Sequence, residues 1–250
     1  MKKFKISFSC MNVFDQCKYK FFLRYIKKIY PDIWSEYLDF GNIIHNVSEL
    51  WKGGTKKELN ELFLKVFKTP QGFKKDKKFH LPMNVYKPKI KKALNNVWHF
   101  YEDHLKDNEF FAEHELSIEK SKYELFGKID LMYIKDDVLY VCDYKTSKAT
   151  KDYSDQLAYY FYLLREDGYI EEDFLCCKLV YFCLDNQEDY HIQDYELNLE
   201  DLNTCKTNLV DFIKGKELRG TDETKWEKQT SGLCPYCDYY KNGDCKGKNK

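Results

Sequence analysis

Two carboxylates and a lysine stand where they could hold a metal ion beside a phosphate. Asp143 and Lys145 lie in VLYVCDYK, and Asp130 lies in the preceding GKIDLMY. The run VLYVCDY is short and continuously apolar, which predicts a buried central strand. Side chains alternate along a strand, so Asp143 and Lys145 project to one face. Tyr144 faces the other way, but its backbone carbonyl can still turn toward a metal at the strand end. Asp130, on the neighbouring strand, reaches the same spot. Carboxylate oxygens are hard ligands suited to Mg²⁺ or Mn²⁺. Such an ion polarises a phosphate and lowers the pKa of a bound water, and an adjacent lysine can orient that water and stabilise charge growing on phosphorus. This is the chemistry of phosphodiester hydrolysis. Asp-x-Lys alone is a common tripeptide and more often a surface ion pair; its place at the end of an apolar strand singles it out.

A second constellation is made of thiols. SGLCPYCDYYKNGDC carries Cys234 and Cys237 as C-x₂-C, with Cys245 seven residues further on. Three cysteines this close, with Pro and Gly between them, predict a metal knuckle that needs a fourth ligand. Cys17 is the expected source and Cys10 its competitor. The chain has ten cysteines. Its opening MKKFKISFSCMNVF lacks the long apolar core and small-residue cleavage site of a signal peptide, so a cytoplasmic location is expected, where disulfides rarely persist. Cys142, Cys176, Cys177 and Cys183 fall in predicted strands and Cys205 on a helix; these are expected to be buried fillers.

The elements that must carry these residues follow from periodicity. Helices are predicted over 12–30, from Gly41 to about Trp51, and over 57–68 and 89–106. TPQGFKKDKKFHLPMN between the last two reads as a loop. After about residue 112 the pattern becomes alternating, predicting two strands within HELSIEKSKYELFGKIDLMYIK, then VLYVCDY, a helix over 154–165, a buried strand in CCKLVYFCLD and a helix over 198–215. The fold class expected is α/β, a mixed central sheet with a helical N-terminal part. At 250 residues, 33% charged and 17% aromatic, with no apolar run able to cross a bilayer, full-length disorder and a membrane protein are excluded. The net charge is zero, but it is segregated. Residues 52–92 hold 13 Lys against Glu58, Glu61 and Asp76; residues 166–201 hold 12 acids against Lys178. The pattern predicts two opposite faces, either both merely solvated or one a basic wall for a phosphate backbone. Tyr86, Trp98, Phe100 and Tyr101 could offer stacking faces for unpaired bases, with at least one of Trp98 and Phe100 expected in the core.

GKIDLMY, VLYVCDYKTSK and DQLAYY, taken together, closely resemble the RecB-like branch of the PD-(D/E)XK nucleases, which includes the nuclease domains of RecB and AddB and small CRISPR-associated exonucleases. Its motifs G-x-x-D, D-x-K and Q-x-x-x-Y fall on Gly127 to Asp130, on Asp143 and Lys145, and on Gln156 and Tyr160. A G-x-x-x-H motif on an early helix falls on Gly41 and His45, and the resemblance makes His45 a further metal ligand. Glu115 corresponds to the family's upstream acidic residue, with Glu113 and Glu119 competing for that alignment. In iron–sulfur members an S-x-S pair precedes a cysteine by eight residues. Ser7, Ser9 and Cys17 keep that spacing, with Lys18 replacing the usual proline.

The resemblance implies a restriction-endonuclease-like sheet in one nuclease domain spanning 1–250, with a Lys-rich helical insertion over 46–110. It also implies a 4Fe–4S module made of 1–20 together with 230–250, held by Cys17, Cys234, Cys237 and Cys245. Four thiolates could equally hold Zn²⁺, and the last gap is longer than the usual five. The activity implied is metal-dependent exonuclease action on single-stranded DNA or DNA ends, in a bacterial, archaeal or phage-infected cell. A recombination or CRISPR adaptation protein is a possible partner. The rivals are a nonenzymatic DNA-binding or assembly subunit of the same fold and a zinc-stapled interaction protein.

Overall fold

The computed structural model describes residues 3–31, 35–68 and 83–246. Most of the predicted 69–84 loop, with Lys74, Lys75, Lys77 and Lys78, lies outside them. Six strands form one mixed sheet: β1 (Phe4–Ile6), β2 (Glu109–Glu119), β3 (Tyr123–Lys135), β4 (Val138–Lys145), β5 (Phe174–Tyr181) and β6 (His191–Asn198). The helices are α1 (Phe8–Gln16), α2 (Lys18–Phe21, continued by a π-helical turn to Ile26), α3 (Glu36–Leu50), α4 (Lys56–Lys68), α5 (Met83–Phe100, with a π turn to Leu105), α6 (Ser154–Glu166), α7 (Leu199–Arg219) and the short α8 (Asp238–Lys241). Among the described residues no helix is long and apolar enough to cross a membrane.

β3 organises the sheet. β2 lies antiparallel along nearly its whole length. The other edge is divided: β1 pairs in parallel with 123–125, and β4 pairs antiparallel with 131–135. Residues 126–130 of that edge have no strand partner. β4 continues in parallel with β5, α6 making the crossover, and β6 closes the sheet antiparallel to β5.

Apolar side chains alternate to the two faces and build two cores. One joins Val141, Leu179 and Tyr181 to α1, α2, α6 and α7. The other joins Leu131, Tyr133, Cys142, Tyr144 and Val180 to α3, α4 and α5. Burying apolar area at about 25 cal/mol per Å² fixes helices on both faces, as a largely buried β4 requires.

Several expectations need correction. The predicted 12–30 helix starts at Phe8, where Ser7 is the N-cap, and breaks at Cys17. That residue is extended (φ −165°, ψ 114°), and its sulfur accepts from the Lys20 N–H to cap α2. α3 begins at Glu36, capped by Ser35, so Gly41 sits inside it. β1 and β6 were not predicted: β1 has three residues, too few for a period, and β6 sits in the acidic stretch with only Leu197 fully buried. Tyr86 and Phe100 are each 1% exposed and belong to the core, so they offer no stacking face. Tyr101 meets Trp51 edge-on. Trp98 is half-buried, its indole N–H given to Gly54 O and its ring covered by Lys56. The two charged segments are not wholly on opposite faces: Asp185, Glu188 and three lysines border one cavity, and His99 of α5 pairs with Asp189.

Candidate active site

The register places the carboxylates in a row. Leu131 faces Cys142 and the β3–β4 ladder stops there; one residue further, Asp130 would face Asp143. On the other side, Ala112 faces Leu131 and His114 faces Ile129, but Glu113 and Asp130 between them form no pair. Glu113 is held at φ +53°, a left-handed conformation uncommon for a side chain with a Cβ. Like charges directly opposite one another destabilise a sheet, and the sheet opens where three of them would align. At this row the ribbon also changes face: Ile129 lies in one core and Leu131 in the other.

Asp130 is anchored rather than paired. Its Oδ2 accepts the Tyr144 N–H at 2.8 Å, and its Oδ1 lies 3.4 Å from His45 Nδ1. Burial would raise its pKa, but His45, the Tyr144 N–H and Lys145 outweigh that and hold it below the usual carboxylate range. His45 responds in the opposite sense: burial lowers it, and the Asp130 charge prevails and raises it. Asp143 is 3% exposed; burial and then the Asp130 charge push its carboxyl up, against Lys145 and His45. Its Oδ1 accepts from Gln156 Nε2 at 2.7 Å and from the Tyr160 hydroxyl at 3.4 Å. Its Oδ2 is in ionic contact with Lys145 yet accepts no hydrogen bond of good geometry, because contact distance alone does not satisfy the angular requirement. Lys145 Nζ donates to Gln156 Oε1 at 3.1 Å and lies 3.9 Å from the centre of the Tyr153 ring.

The supporting elements explain the small residues. A Cβ on Gly127 would stand 2.3 Å from Leu163 Cδ1, so the glycine lets α6 lie directly on β3. Gln156, Tyr160 and Leu163 are at i, i+4 and i+7 and share one face of α6. Gly41 brings α3 past the segment after β4, where its Cβ would be 3.2 Å from Thr146 Oγ1, and His45 follows one turn later. The resulting cavity, about 350 Å³, is lined by His45, Asp130, Asp143, Tyr144, Lys145, Gln156 and Tyr160, all singled out in the sequence. Thr146, Ser147 and Tyr153 line it too and were missed. The first two directly follow the Asp-x-Lys strand; Tyr153 carried no signal beyond preceding a helix.

None of the three upstream glutamates lines this cavity. Glu115 faces Lys128 across the β2–β3 ladder, and Glu119 faces Glu124. Glu113 turns to Lys128, with which it is paired, and hydrogen-bonds the Glu49 carboxyl.

The four predicted cluster cysteines share a cavity that has no lining residue in common with this one. Cys17, Cys234, Cys237 and Cys245 line one cavity of about 80 Å³ with Gln16, Tyr19, Lys20 and Leu23. All four are half-buried, whereas Cys10, Cys142, Cys177, Cys183 and Cys205 are buried and Cys176 is half-buried. Cys10 is 1% exposed in the core, with its thiol pushed up to about 12 by burial, which removes it as the competitor to Cys17. The two chain ends are joined here by Tyr19 N–H to Glu227 O and Lys18 N–H to Gln229 Oε1, and Cys245 N–H to Tyr239 O closes the C-terminal turn. Among the described residues no three His, Cys, Asp or Glu side chains close on a point as a bare-ion cage would.

Residues 5–241 match the profile of the PD-(D/E)XK nuclease superfamily. No curated protein matches the chain. Among solved structures, a candidate exonuclease from Eubacterium rectale is similar at 15% identity, over 94% of this chain and 88% of that one, with a TM-score of 0.55. At that identity the likeness is one of fold. The structure of SSO0001 aligns over 100% of this chain and 90% of its own at 14% identity and a TM-score of 0.43.

Proposed function

The chain belongs to the PD-(D/E)XK nuclease superfamily, and from that premise we propose that it is a metal-dependent DNA exonuclease acting on single strands or free ends, with a 4Fe–4S cluster as a structural staple. The observation that carries the reading is the convergence of His45, Asp130, Asp143 and Lys145 in one cavity where the sheet opens. The donor set suits a hard divalent ion: two carboxylates, one an oxygen buried without a hydrogen bond, with His45 and the Tyr144 carbonyl to complete it. Mg²⁺ keeps several of its waters and so needs few protein ligands. When bound, the ion would supply Lewis acidity and an acidified water.

The chain's own residues do the rest. Asp130 is kept ionised by His45 and the Tyr144 N–H. Gln156 binds the Asp143 carboxylate through its NH₂ and the Lys145 ammonium through its carbonyl, fixing both for in-line attack on phosphorus. Lys145 then faces the phosphate as a positioned cation, which stabilises charge that grows in the transition state. An assembly subunit that had lost catalysis would have no need to retain this complete charged set.

Cys17, Cys234, Cys237 and Cys245 line one cavity and supply the four thiolates an iron–sulfur cluster needs; four thiolates also suit Zn²⁺, and the cluster is preferred on the resemblance to iron–sulfur nucleases.

End-labelled single-stranded DNA, incubated with Mn²⁺ or Mg²⁺, tests the activity. Asp143→Ala and Lys145→Ala should each lower the rate by at least about a hundredfold while the fold persists. Wild-type rates from both variants would refute the site. Successive products from each labelled end would give the polarity.

A further inference from the structure

Away from the carboxylates, a cavity of about 850 Å³ lies between α4, α5 and the 185–188 loop, within the about 300–1,000 Å³ typical of small-ligand sites. Leu59 and Leu94, 1% and 4% exposed, close it from beneath, and Pro88 is its exposed apolar lining. Its polar wall is organised by Lys56. The Lys56 carbonyl accepts from Asn60 Nδ2 at 2.7 Å, and the Lys56 ammonium donates to Asn95 Oδ1 at 2.7 Å. The ammonium is itself fixed over the Trp98 ring and beside His99 Nε2. Each amide therefore spends one end on Lys56 and keeps the other. Asn60 retains an acceptor and Asn95 a donor.

A free acceptor and a free donor on one cavity are the groups a nucleobase edge can meet, since it presents both a donor and an acceptor. Lys91 is exposed and makes no ion pair among the described residues. Asp185, on the far wall, is engaged by Lys148 at 3.5 Å. One wall of the cavity is tied to the segment that follows the candidate active site: Phe182 N–H donates to Lys145 O at 3.0 Å, and Asp185 N–H to Lys148 O at 3.1 Å. The 182–188 wall thus runs alongside the segment that leaves Lys145.

We infer that this cavity is a base-binding pocket for the strand being cut, in which an unstacked nucleobase lies against Pro88, is read by Asn60 and Asn95, and has its phosphate at Lys91. The inference rests on the nuclease reading and sharpens it: a base in such a pocket is unpaired, so the strand is locally single-stranded here, as a free single strand or frayed end supplies at least cost.

The test uses the full chain carrying Asp143→Asn, so that binding is measured without cleavage. Fluorescent strands of about 12 nucleotides, each with one abasic position, are titrated by anisotropy. One register should exist at which losing the base weakens binding roughly tenfold. In Asn60→Leu/Asn95→Leu that register should vanish, and Lys91→Glu, an exposed change that leaves the fold alone, should weaken every strand. A flat abasic profile in the parent, or an unchanged profile in the double variant, overturns the pocket. So does displacement of the strand by micromolar deoxyadenosine monophosphate, which would make the cavity a site for free nucleotide. Hydrolysis by the wild-type chain is scored separately. Cleavage with a flat profile removes only the pocket; a register-specific profile without cleavage removes only the nuclease reading.

Discussion

Glu113 shows what one residue does for a row of charges. Regular alternation would put its carboxylate beside Asp130, itself opposite Asp143. A left-handed backbone costs roughly 1–2 kcal/mol, and here it sends the carboxylate to Lys128 and Glu49 instead. The Glu49 carboxyl is pushed up to about 7, first by burial and then by its hydrogen bond to Glu113. An acid whose pKa is raised on folding binds more protons in the native state, so its contribution to stability falls as pH rises from the ordinary 4.5 through about 7. Glu49→Gln removes that loss. Its melting temperature relative to wild type should therefore climb between pH 4.5 and 7 and level off above. A difference independent of pH would show that Glu49 is not held this way.

At the scale of elements, the distance between α6 and β3 decides whether the site exists. Gln156 and Tyr160 reach Asp143 because Gly127 lets Leu163 sit directly on the strand. A side chain there would drive into a filled core, which costs about 1–3 kcal/mol. Gly127→Val is expected to lower urea stability by about that amount and to reduce hydrolysis through displacement of Gln156. Adding Leu163→Ala should restore part of both. A double variant no better than the sum of the singles would show that the contact does not set the helix position. The short β1 has a similar role: it covers only 123–125, leaving 126–130 of β3 open on that edge. The Tyr159 hydroxyl reaches into the opening, 2.9 Å from Ile6 O and 3.4 Å from Phe126 O.

Across the whole molecule, the two chain ends close on each other. Trp226 stacks on Phe21 and Phe22 at ring separations of 5.4 and 5.5 Å, the Tyr239 hydroxyl donates to Ile29 O at 2.8 Å, and four thiols meet beside them. Tying residues more than two hundred positions apart through metal makes metal binding part of the folding free energy. Protein purified without oxygen should be brown and contain iron and sulfide. Oxidative loss of the cluster should lower its melting temperature, and Cys245→Ser should reproduce that loss. Zinc without iron would eliminate the cluster while leaving the staple.

The candidate site was legible in the sequence because its spacings are local. Asp143 and Lys145 are two apart on an apolar strand, Cys234 and Cys237 three apart, Gln156 and Tyr160 one helical turn apart, and a strand or helix of standard geometry turns each spacing directly into a shared face. Periodicity likewise determined most of β2 to β5 and the helices that flank them. What it could not supply was anything set by a contact between distant segments. The break at Cys17, the face change at Asp130, the burial of Tyr86 and Phe100, and the meeting of Asp185 and Glu188 with the lysines of α4 and α5 have no local signature. Each depends on which surfaces are covered once the sheet has twisted and both cores have filled. Residue spacing marked the candidate reacting groups; tertiary packing decided their separation, their electrostatic surroundings and the opening in the sheet beside them.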